Sequence, residues 1–86
     1  MEDVLSELVE YIGKVDRAST STQFINYGIS LLDTIKLVEL AYRGNLSLKQ
    51  FNDMEHYVNN VYIAKTKESM IGRARDFHDY MKSLEM

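Results

Sequence analysis

Two histidines, His56 in DMEHYVNN and His78 in RDFHDYM, are the residues best suited to proton transfer or metal ligation in this 86-residue chain. Neither has a second His, Cys or carboxylate four residues on, the spacing that sets two ligands on one helix face. Asp76 and Asp79 flank His78 at −2 and +1, positions expected to point elsewhere on a helix. No cysteine is present, so neither a thiolate metal site nor a disulfide framework can form. The four glycines (13, 28, 44 and 72) are isolated, which excludes a glycine-rich phosphate loop, and no GxSxG nucleophile motif occurs. The expectation is a chain that is not an enzyme and carries no cofactor or metal.

A second constellation is electrostatic. Lys65, Lys67, Arg73 and Arg75 carry four positive charges with only Glu68 against them. On one face they would suit a phosphate backbone or an acidic partner; the alternative is a solvated helix surface. The net charge of −3 does not favour a general nucleic-acid binder. Residues 1–40 hold seven acids against three bases, and residues 41–86 six against seven.

The elements that must position these residues read as helices throughout. In the span QFINYGISLLDTIKLVELAYRG, Phe24, Gly28, Leu31, Ile35, Val38 and Tyr42 recur in steps of four and three, the period of an α-helix seam. Ile25, Ile29 and Leu32 form a stripe beside it, and Leu37 and Leu40 extend the apolar surface. Asp33, Lys36 and Glu39 confine the charge to a narrow strip. A helix this apolar is expected to be surrounded by partners at the centre of a bundle.

Before it, Val4, Leu8 and Ile12 with Leu5 and Val9 mark an amphipathic helix over residues 3–14. Glu2, Asp3 and Glu7 suit the positive end of its dipole, and Gly13 is placed for a left-handed C-terminal cap. Thr20 with Gln23, and Ser47 with Gln50, match capping boxes and start helices over residues 21–43 and 48–64, with Gly44–Asn45 as the stop between them. Gly28 in the main seam implies close approach of a neighbour, and Gly72 a bend or a similar approach.

After residue 64 the pattern changes phase. The row Phe51, Met54, Val58, Val61 would continue onto Lys65, Glu68 and Gly72, which are not core residues. A new row replaces it: Ile63, Met70, Ala74, Phe77, Met81, Leu84. The buried face has turned by roughly 200°. Either the chain bends near residues 65–69, with Thr66 as cap, and a helix over 67–84 folds back, or one helix of about 37 residues runs straight for some 55 Å and projects from the bundle.

The expected fold is therefore an all-α single domain, a small bundle of three or four helices. Its expected function is a non-enzymatic protein–protein interaction module (a small regulator, adaptor or inhibitor) acting as a homodimer. Ile63, Met70, Phe77, Met81 and Leu84 are the candidate partner or dimer interface, rimmed by Tyr57, Tyr62 and Tyr80, since methionine and tyrosine suit contact surfaces. The competing reading of that row is ordinary core. The alternative function is a nucleic-acid-binding transcriptional regulator using Lys65, Lys67, Arg73 and Arg75, or a helix–turn–helix-like hairpin ending in LKQFNDMEHYVNN, a segment that lacks arginine. No apolar run reaches the length of a membrane span and the first residues are acidic, so a cytoplasmic location without membrane contact is expected.

Overall fold

The phase change after Val61 resolves as a bend. The structure, a computed structural model, describes the backbone of residues 2–84 and the side chains from residue 4 onward, so the charges of Glu2 and Asp3 lie outside the described side chains. Four helices follow one another: α1 (Glu2–Asp16), α2 (Ser21–Tyr42), α3 (Leu48–Tyr62) and α4 (Lys67–Ser83), with a 3₁₀ turn at Arg43–Asn45. The longest dimension of the molecule is 40 Å, too short for a straight helix of about 55 Å. The continuous C-terminal helix is thereby excluded.

Local chemistry accounts for each start. Thr20 caps α2, its side-chain oxygen accepting from the Gln23 amide at 3.1 Å, while the Gln23 side chain accepts from the Ser19 amide rather than from Thr20 itself. Ser47 and Gln50 form the full reciprocal box at the start of α3. At the α3–α4 bend the Thr66 hydroxyl accepts from the Ser69 amide at 3.1 Å and restarts the helix. Each such cap satisfies a backbone donor that the first helical turn leaves open.

The expectation of a cap at Gly13 fails. No glycine adopts a positive φ among the described residues. Helix α1 runs through Gly13 to Asp16, whereas α2 ends at Tyr42, where Gly44–Asn45 was expected to stop it, by tightening into the 3₁₀ turn. Gly72 is no bend either: it lies inside α4 with nothing within 4 Å of an added Cβ.

The core is one cluster fed by all four helices: Leu8 and Val15 from α1, Leu31, Ile35 and Val38 from α2, Met54 and Val61 from α3, and Phe77 and Met81 from α4 are all essentially sealed from water. Helix α1 packs chiefly against α2 and α4, and α3 against α4. Among the described residues Thr34 is the one buried polar side chain, donating its hydroxyl to the Ser30 carbonyl at 2.9 Å, and no buried side-chain polar atom lacks a partner.

Candidate interaction surface

Helix α2 is buried on one side only. Taking 100° per residue, its buried positions Gly28, Leu31, Thr34, Ile35, Val38 and Tyr42 fill an arc of about 120° facing the core. The opposite arc, of similar width, carries Ile25, Ile29, Leu37 and Leu40, which are 57%, 55%, 52% and 58% exposed. Leu32, at the margin, is half-buried. The expected encirclement of α2 is thus overturned. The other three helices cover the inner stripe, and the outer one meets water.

Asp33 and Lys36 sit inside that outer arc, both exposed. Among the described residues neither forms an ion pair. Tyr62, at the end of α3, borders the arc. Partial burial, with the negative charges of Asp33 and Glu55 nearby, holds its hydroxyl above the usual tyrosine pKa.

The C-terminal row expected at an interface lies elsewhere. Met70, Phe77 and Met81 are buried in the chain's own core, Phe77 and Met81 completely. Leu84 caps α4 and packs half-buried against that core. Only Ile63 of the five is strongly exposed, at 64%, because it falls at the C-cap of α3 where the backbone leaves the helix. The physical reason is the bend: once α4 folds back, its apolar face closes the bundle. Tyr57 and Tyr80 likewise hold α3 to α4, with rings stacked at 4.8 Å between centroids and the Tyr80 hydroxyl donating to the Gln50 carbonyl at 3.3 Å. Burial, and the charge of Asp53, raise the Tyr80 pKa.

The basic cluster does not gather on one face. Lys67 donates to the Ala18 carbonyl at 3.0 Å and ties α4 to the α1–α2 connection. Arg73 turns the other way, donating to the Asn60 carbonyl at 2.9 Å near the end of α3. Arg75 lies 4.0 Å from Asp16 on α1, and Lys65 is exposed in the bend. Three of the four cations are engaged in holding helices together. Sequence spacing hid this, because residues six or eight apart on one helix face different neighbours.

The histidines are peripheral. His56 Nε2 lies 3.5 Å from the Asn60 side chain, and His78 Nδ1 lies 3.2 Å from the Asp79 carboxylate, which reaches back despite being the adjacent residue. Among the described residues no three His, Cys, Asp or Glu side chains gather as a metal site would require. His78 lines a groove of about 460 Å³ between α1 and α4 with Val9, Ile12, Arg17 and Arg75. Glu10 also lines that groove and pairs with Lys14 at 3.9 Å, and Asp16 pairs with Arg75 beside it. A second groove of about 390 Å³, between α2 and α3, is lined by Lys36, Glu39, Leu40, Arg43, Phe51 and Glu55 and adjoins the apolar arc of α2.

No helix among the described residues is long and apolar enough to cross a membrane. Comparison with known proteins matches the chain to no family model, no curated sequence and no solved structure.

Proposed function

We propose that this chain is a non-enzymatic protein-interaction module, a small regulator or adaptor, whose working surface is the outer face of α2. One observation carries the reading: four large aliphatic side chains, each more than half exposed, share one arc of a single helix. Scattered exposed leucines are ordinary, but four large aliphatic side chains gathered on one arc of a small domain favour contact with another protein. The stripe has the form an amphipathic partner helix would recognise, with Asp33 and Lys36 to set register and Tyr62 at the margin. The nucleic-acid alternative has no comparable support, since Lys67, Arg73 and Arg75 are turned to different neighbours within the fold.

Site-specific photo-cross-linking tests the reading. A benzophenone amino acid in place of Leu37, on the outer arc, is expected to trap a discrete covalent adduct in cells expressing the chain. The same probe in place of the exposed Glu68 on α4 serves as control. No adduct at Leu37, or the same adducts at both positions, would overturn the assignment.

A further inference from the structure

The outer face of α2 has a charge pattern that is complementary to itself. Along it run Ile29, Asp33, Lys36 and Leu40, spaced by four, three and four residues, the alternation of a helix–helix seam. Consider a two-fold axis crossing α2 at the level between Thr34 and Ile35, with a second α2 running antiparallel. Asp33 then faces the partner's Lys36, and Lys36 faces the partner's Asp33. Ile29 meets the partner's Leu40, and Leu40 the partner's Ile29. Ile25 and Leu37 flank the seam on either side and add apolar area.

We propose that the occupant of this face is a second copy of the chain, docked antiparallel through α2 about that axis. The inference rests on the reading of α2 as an interaction surface and adds the identity and orientation of its partner. A closed two-fold dimer requires a patch that matches itself, and this one matches in both its charged and its apolar positions. The parallel alternative is disfavoured by the same residues. In register it sets Asp33 beside Asp33 and Lys36 beside Lys36. Asp33 and Lys36 have no ion-pair partner within the described fold, so both are available to one across the seam. The area is that of one helix–helix contact, at the small end of specific interfaces, so a weak dimer with dissociation constant in the micromolar range is expected.

Charge reversal at the paired positions gives a test that depends on the register. Sedimentation equilibrium of the full chain is expected to show a reversible monomer–dimer system. Asp33→Lys alone sets lysine against lysine twice across the seam, and Lys36→Asp alone sets aspartate against aspartate. Each single variant is expected to self-associate about tenfold more weakly than the unmodified chain. An equimolar mixture of the two single variants restores both pairs and is expected to form heterodimers at unmodified strength. The double variant Asp33→Lys/Lys36→Asp is expected to recover homodimers. Both positions are exposed, and helix content by circular dichroism confirms that each variant folds.

A chain that stays monomeric to about 1 mM overturns the inference. It leaves the docking face itself standing if the probe at Leu37 still traps another protein, and an adduct of twice the chain mass there supports the second copy. A dimer whose strength ignores both reversals, or whose mixture shows no preference, overturns the antiparallel register.

Discussion

Phe77 shows how far one residue's setting can reverse a reading of it. On the sequence it stands in a row with Met70 and Met81 that suited an interface equally well; in the fold it is completely buried. Phe77→Ala is expected to cost about 3–5 kcal/mol, a large share of the stability of a domain this size. Urea denaturation monitored by circular dichroism measures it, and a cost under about 1 kcal/mol would show that the site is not sealed. Tyr62 and Tyr80 make a second residue-scale prediction. Both hydroxyls are held above their ordinary pKa, chiefly by burial. A folded pKa above the unfolded one contributes stability that is complete below the unfolded value, near pH 10, and is lost as pH rises through the folded value. The urea midpoint is therefore expected to fall as the pH rises above about 10, and to fall less in the Tyr62→Phe/Tyr80→Phe chain. Lys49, raised mainly by its hydrogen bond to Asp53, titrates in the same range and remains in both chains.

The helices were legible because their signals are local. Thr20, Ser47 and Thr66 each place an oxygen within reach of an amide three residues on; the first two start helices where the spacing predicts, and Thr66 does so as in the bent of the two C-terminal alternatives. Thr66→Ala is expected to cost about 1 kcal/mol and to fray the first turn of α4, visible as faster amide exchange at residues 67–70. The helical glycines are a looser fit. A Cβ at Gly28 would meet Met70 Cε at 3.6 Å, an ordinary contact, and one at Gly72 would meet nothing within 4 Å. Gly28→Ala and Gly72→Ala are each expected to stabilise the chain by up to about 1 kcal/mol, read as a higher thermal midpoint. A destabilised Gly28→Ala chain would mean that α2 and α4 lie closer together than their side chains show.

At the scale of the whole molecule, the apolar surplus of α2 is the main finding. An 86-residue chain has few elements with which to cover a 22-residue helix, and here α1, α3 and α4 cover one side of it. The pair Ile29→Glu/Leu40→Glu is accordingly expected to leave the monomer's unfolding free energy, from urea denaturation, within about 0.5 kcal/mol of the unmodified chain, since neither side chain contributes to the core. Dimer formation by sedimentation is expected to disappear in the same variant. Loss of folding would instead place these side chains in a core.

The sequence by itself determined the helical class, the starts of α2 and α3 and the inner seam of α2. Those depend on spacing of 3.6 residues per turn and on caps that act within four residues. The start of α1 lies one residue before the spacing places it, and the start of α4 at Lys67 was one of two alternatives the spacing left open. Tertiary structure alone decided which apolar row found a partner. The second stripe of α2 and the row on α4 are equally periodic, and periodicity reports that a face is apolar without naming what covers it. The bend at residues 63–66 turned α4 inward, sealed Met70, Phe77 and Met81, and left Ile25, Ile29, Leu37 and Leu40 facing out. It also sent Lys67 and Arg73 to backbone carbonyls of different neighbours. Long-range packing chose between two apolar faces, and the choice follows from where four helices of these lengths can meet.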